Sequence, residues 1–282
     1  ANSSGAMQAG GWKKISGTWY YLSRSGAMAT DWLNVKGTWY FLDRSSGAMR
    51  ANNWVLDGTK WYFVNGSGEM LTSQWLNRGG TWYYLGRSGL MATGWGQIKG
   101  VWYFFDRGNG AMAASTSKTI DNKQYWFAAS GAMRTDTWVK TSDGKPAFLG
   151  SNGLVAYTGA YDAQGRIVSA NGASGWKQIG WAWMYFDKAK NNALQTGWFK
   201  VNGTWYYANS AGVMKTGWQK INGTWYYLKS SGAMATGWVK LGSTWYYLDP
   251  TSGAMATGMK TISGKRYAFR SSGAWIEEGA DM

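Results

Sequence analysis

Apolar and polar positions alternate along this chain in short bursts and never in long runs. Trp198-Phe199-Lys200-Val201 and Thr204-Trp205-Tyr206-Tyr207 each carry the pattern, with Asn202-Gly203 between them. Alternation of this length is the period-two signature of a half-exposed strand. Asn-Gly between two such runs predicts a hairpin closed by a type I′ turn, which needs positive φ at both central residues. Asn222-Gly223 repeats the signal, and Ser16-Gly17, Lys36-Gly37, Asp57-Gly58 and Lys99-Gly100 are variants of it. A Ser-Gly loop and an Ala-Met segment then lead into the next Trp.

The string TGWxKxNGTWYYLxxSGAM recurs roughly every 20 residues and stands almost unaltered over 197–214, 217–234 and 237–255. A unit this short cannot bury a core alone, so neighbours must share one. The fold class that follows is all-β, a solenoid of stacked hairpins. The leading Trp of successive units is Trp12, Trp32, Trp54, Trp75, Trp95, Trp138, Trp176, Trp198, Trp218 and Trp238; Met259 takes that place in the last unit and Lys118 is expected to take it after Trp95. Period-two geometry puts Trp198 and Lys200 on one face and Phe199 and Val201 on the other. Trp205 and Tyr207 share a side and Tyr206 faces away, so Val201 and Tyr206 are expected in the shared core. No Trp occurs over 139–174, where Lys145-Pro146-Ala147-Phe148 replaces Thr-Trp-Tyr-Tyr and 163–168 reads as a bare hairpin. The expected organisation is an N-terminal run of hairpins over 1–138, degenerate repeats or a spacer over 139–175, and a C-terminal run with a terminal cap over 176–282.

Composition narrows the chemistry. The 282 residues include 22 Trp, 18 Tyr and 9 Phe, more aromatic surface than a narrow core absorbs, and neither Cys nor His. Disulfides, thiolate metal sites and the usual imidazole base are therefore excluded. No metal site and no cofactor is predicted. The carboxylates stand singly in turns; Glu277 and Glu278 are adjacent but lie in the terminal tail, so no catalytic set is predicted and the chain is not expected to be an enzyme. No apolar run reaches the ~18 residues of a membrane span. The opening residues 2–7 read as the tail of a repeat, which points to a fragment or a processed product. A net charge of +15 suits solubility or a polyanionic partner; nucleic acid is not expected, since no recognition motif accompanies the charge.

Two Trp and a Tyr converging between stacked units form an aromatic box. Such a box suits a quaternary ammonium, whose charge is attracted by ring faces and has no N–H to satisfy. The motif GWxKxxGTWYYLxxSGAMxTG resembles the choline-binding, cell-wall-binding repeat of Gram-positive surface proteins and phage lysins. The resemblance covers nearly the whole chain outside 139–174. It implies a left-handed hairpin superhelix with choline held between consecutive units by the leading and hairpin Trp of one and the outer Tyr of the next, closed by a Met. Carried over, the boxes are Trp198, Trp205, Tyr227 and Met234; Trp218, Trp225, Tyr247 and Met255; Trp176, Trp183, Tyr207 and Met214; and Trp54, Trp61 and Tyr84. Phe stands in the third wall for Trp12, Trp19 and Phe41, for Trp32, Trp39 and Phe63, and for Trp75, Trp82 and Phe104. Trp95 and Trp102 would meet Trp126, and Trp238 and Trp245 would face Ala268. The implied partner is choline or phosphocholine on teichoic or lipoteichoic acid, at the surface of a secreted protein bound to the Gram-positive cell wall. A cell-surface glycan or glucan is the alternative ligand, and the Phe walls favour it. A structural stalk or adhesin with decayed sites is a third reading. A homodimer through the C-terminal repeats is a further expectation.

Overall fold

The computed structural model describes residues 9–276; residues 2–7, Glu277 and Glu278 lie outside that range. Among the described residues the regular structure is β-strand, joined by turns and loops, with one short 3-10 turn, Lys188–Lys190. None of its helices is long and apolar enough to cross a membrane. The chain divides into two compact units between Met133 and Arg134.

In the first unit, antiparallel hairpins follow one another, each its own two-stranded sheet: Gly11–Ile15 with Thr18–Leu22, Asp31–Val35 with Thr38–Leu42, Asn53–Asp57 with Lys60–Val64, Gln74–Arg78 with Thr81–Leu85, Gly94–Ile98 with Val101–Phe105, and Thr116–Ile120 with Lys123–Phe127. In the last of these Ser117 pairs with Trp126, the penultimate residue of its partner strand, as Trp95 pairs with Phe104 in the hairpin before. Ser117, not Lys118, therefore takes the leading position. Gln124 takes the hairpin-Trp position there, so this unit lacks both indoles.

The second unit opens with a three-stranded sheet, Trp138–Lys140, Pro146–Leu149 and Val155–Thr158. A five-stranded sheet follows, in the order Ala160–Tyr161, Ile167–Val168, Ala193–Leu194, Ala182–Asp187, Gly175–Ile179. Two strands of the stretch expected as degenerate repeats or a spacer, Ala160–Tyr161 and Ile167–Val168, thus share a sheet with the Trp176 hairpin. Phe148, Ile179, Ala182, Met184, Phe186 and Val213 pack there into one core. Three regular hairpins follow, Gly197–Val201 with Thr204–Ala208, Gly217–Ile221 with Thr224–Leu228, and Gly237–Leu241 with Thr244–Leu248; a three-stranded sheet of Gly258–Ile262, Lys265–Phe269 and Trp275–Ile276 ends the unit.

The turns have the backbone that the dipeptides predict. Asn202 and Gly203 have φ of 46° and 80°, and Asn222 and Gly223 of 49° and 84°. Ser16, Lys36 and Lys99 adopt the same left-handed region, which Asn tolerates better than Lys or Ser. Asp57 differs. It ends its strand paired with Lys60, and the turn moves to Gly58 and Thr59 with positive φ at Gly58 alone.

The core runs along the far ends of the second strands. Leu42, Val64, Leu85, Leu228 and Leu248 are fully buried. Each is bridged to the Met that follows it: Leu42 to Met49, Val64 to Met70, Leu85 to Met91, Leu228 to Met234 and Leu248 to Met255. Val201 and Tyr206 are only half-buried, whereas Ala208 is buried. The strand end next to the turn stays open, and the strand end next to the Met loop is enclosed, so the core lies two residues beyond Tyr206.

Candidate functional site: aromatic clefts between hairpins

Cross-strand register sets the first two walls. Trp198 pairs with Tyr207 and Lys200 with Trp205, so all four side chains share one face. The indoles of Trp198 and Trp205 stand 6.3 Å apart at 85°. The next hairpin meets this face with its opposite face, which carries Tyr226. Tyr226 packs edge-on to Trp198 at 4.9 Å. The Met234 N–H then donates to the Trp205 carbonyl oxygen at 2.8 Å, which carries the Met side chain to the cleft. Trp198, Trp205, Tyr226 and Met234, with Thr251 and Ser252 from the following loop, line a cleft of about 280 Å³.

The same construction recurs. Trp218, Trp225, Tyr246 and Met255 line a cleft of about 350 Å³. In the first unit Trp54, Trp61, Tyr83 and Met91 line one of about 260 Å³, and Trp75, Trp82, Tyr103 and Met112 one of about 370 Å³. The corresponding pairs are Trp12 with Tyr40, Trp32 with Tyr62, Trp95 with Tyr125 and Trp176 with Tyr206, at 4.8–5.1 Å. Met49, Met70, Met133 and Met214 donate their N–H to the carbonyls of Trp19, Trp39, Trp102 and Trp183. The hairpin Trp is left open to solvent in every case; Trp205 is 38% exposed and Trp102 43%.

The third wall differs from expectation by one residue throughout. Tyr227, Tyr247, Tyr207 and Tyr84 pack against the leading Trp of their own hairpins, Trp218, Trp238, Trp198 and Trp75. Phe41, Phe63 and Phe104 do the same and are buried. Trp126 is buried as well, and Tyr125 stands at the Trp95 cleft instead. The reason is parity. The outer ring shares a face with the two Trp, so only the ring before it on the strand can reach back to the previous hairpin. Every third wall is therefore a Tyr, and the Phe residues belong to the core. Trp238 likewise meets Tyr267 at 4.9 Å, not Ala268, and Trp275 stands in the Met position 5.8 Å from Trp238.

The loop glycines do more than turn the chain. A Cβ on Gly253 would lie 2.5 Å from the Met234 sulfur, and one on Gly110 the same distance from that of Met91. Both have φ near 75°, so space and conformation select glycine together. The Met wall of one cleft is thus held by the glycine of the following loop. Loop carboxylates rigidify the same segments. Backbone N–H groups of Asn109 and Gly108 hold Asp106 below the ordinary carboxylate range, and the Ser252 backbone and hydroxyl do the same for Asp249. Burial, reinforced by the Glu69 charge, pushes the Tyr40 phenol up, so this wall stays neutral.

The choline-binding repeat model matches residues 9–54, 77–117 and 215–257, and the cell wall binding repeat model matches 52–70, 118–133 and 196–214. Comparison with curated proteins gives no match. Among solved structures, CbpJ from Streptococcus pneumoniae TIGR4 is 28% identical, with 94% of each chain covered and a TM-score of 0.37. Choline binding protein F of Streptococcus pneumoniae, in complex with ipratropium, is 25% identical over 96% of this chain and all of its own, at 0.39. The modular autolysin LytC of the same organism is 23% identical over 88% of this chain and 53% of its own, at 0.38. The hairpins, their Trp and Tyr positions and the matched repeats agree: the chain belongs to the choline-binding, cell-wall-binding repeat family.

Proposed function

We propose that the chain is a non-catalytic attachment module that holds choline of teichoic or lipoteichoic acid in the clefts between consecutive hairpins. Each cleft takes its Trp pair from one hairpin, its Tyr from the next and its Met from the loop after that. The observation that carries this reading is the repeated cleft whose hairpin Trp faces solvent while its leading Trp is anchored in the stack. A ring face contributes roughly 0.5–2 kcal/mol to a cation, so three rings support binding near −4 kcal/mol, about millimolar. A polymer that presents many such groups would gain ~10²–10⁴-fold by effective concentration.

Cleft size favours a head group over a sugar chain. Volumes of 260–370 Å³ sit at the foot of the ~300–1,000 Å³ range for ligand pockets. The Phe walls that spoke for a glycan are core residues. Carboxylates tied into loops with lowered proton affinity are poor acids at neutral pH, which supports a module without chemistry of its own.

The test is a titration with choline followed by Trp fluorescence. The full chain should show saturable millimolar quenching. Trp205→Ala with Trp225→Ala should remove the part owed to two clefts. Quenching by dextran or wall polysaccharide and none by choline would transfer the clefts to a glycan.

A further inference from the structure

The clefts are not chemically equal at their mouths. The residue paired across the hairpin with the solvent-facing Trp is Lys14 opposite Trp19, Lys200 opposite Trp205, Lys220 opposite Trp225 and Lys240 opposite Trp245. The ammonium nitrogens of these lysines lie 5.8, 5.2, 6.0 and 5.7 Å from the ring centroids. At the equivalent place the other hairpins carry Asn34, Leu56, Asn77, Gln97 and Gln178. All four lysines are exposed. None of them enters an ion pair among the described residues. A fixed, uncompensated positive charge therefore sits beside a ring that is itself a wall for a cation.

We propose that Lys14, Lys200, Lys220 and Lys240 read an anionic group tethered to the bound quaternary ammonium, so that these clefts select a zwitterionic head group over a bare cation. The inference rests on the choline reading of the clefts and names which form of the ligand each cleft prefers. A bare trimethylammonium in such a cleft is repelled by a Lys whose ammonium lies 5.2–6.0 Å from the centre of one of the cleft's rings. A phosphate one short linker further out turns that repulsion into attraction. Across solvent the interaction of two unit charges ~6 Å apart changes affinity about threefold, and it is screened when the Debye length falls to about 3 Å near 1 M salt. Clefts with Asn34, Leu56, Asn77, Gln97 or Gln178 have no such preference. The Lys clefts Trp198, Trp218 and Trp238 are consecutive, so phosphate-bearing ligand would load that run of the second unit first.

The full chain and a variant with Lys14→Gln, Lys200→Gln, Lys220→Gln and Lys240→Gln are titrated with choline and with phosphocholine by Trp fluorescence, at about 10 mM and about 1 M salt. Gln already occupies this position at Gln97 and Gln178, and choline quenching reports that the variant's clefts remain formed. The expected result is two classes of phosphocholine site in the native chain at low salt, the tighter favouring phosphocholine over choline by at least about threefold. Replacing the lysines, or raising the salt, should merge them into one class without preference. A preference that survives the replacements overturns this proposal and leaves the choline reading standing. A native chain quenched by neither ligand overturns both.

Discussion

At the scale of single residues, the clefts turn on which of two adjacent tyrosines reaches across to the previous hairpin. Tyr226 lies 4.9 Å from Trp198, while Tyr227 packs 5.2 Å from Trp218 in its own hairpin. We expect Tyr226→Ala with Tyr246→Ala to weaken choline binding at their two clefts by about fivefold, the loss of one ring wall. Tyr227→Ala with Tyr247→Ala should lower the melting temperature and leave the clefts' affinity in place, because those rings only pack. Paired titrations and thermal melts of the two variants check this. The Trp pairs stand out in the repeated motif, and so do Met214, Met234 and Met255 and the faces of the strand residues in the regular Trp198 repeat. The third wall is Tyr226 and not the expected Tyr227, although alternation alone already puts Tyr206 on the face away from Trp205. The signal was available: two stacked hairpins meet with opposite faces, so the third wall must have the opposite parity to the Trp. The packing of a loop glycine against the Met of the preceding loop is invisible in the local pattern, because it joins residues a whole repeat apart.

At the scale of elements, the hairpins and most of their turns follow from dipeptides and alternation. The exception at Asp57 follows from the fit of Gly58 to a turn with a single positive φ. The loops depend on carboxylates as well as glycine. Asp106 and Asp249 have folded proton affinities below the ordinary value of 3.8. A depressed carboxylate contributes stability that is complete above its unfolded pKa and is lost as pH falls through the lower folded one. Asn109 and Ser252 from these loops line the Trp54 and Trp198 clefts. Choline affinity and melting temperature should therefore hold from neutral pH down to about 4 and fall below it. Asp106→Asn with Asp249→Asn should remove part of that acid dependence while lowering stability at neutral pH. Melting curves across the acid range, with and without choline, measure both effects.

At the scale of the molecule, repetition replaces a single centre with many equivalent ones. Where the repeat degrades, the local pattern no longer specifies the pairing. Over 139–174 the Trp vanish, and nothing in the local pattern says that strands Ile167–Val168 and Ala193–Leu194 pair with each other and join the Trp176 hairpin in one sheet. Such pairing is set by contacts distant in sequence, which alternation does not encode. The loss of both indoles at Ser117 and Gln124 marks one hairpin of the first unit as a place without a Trp-paired aromatic cleft. If most other hairpins hold one small cation each, calorimetric titration of the whole chain with choline should give saturable, millimolar binding of several cholines per chain, reduced in number by Tyr226→Ala with Tyr246→Ala. Absence of binding, or one choline per chain regardless of those tyrosines, would contradict that.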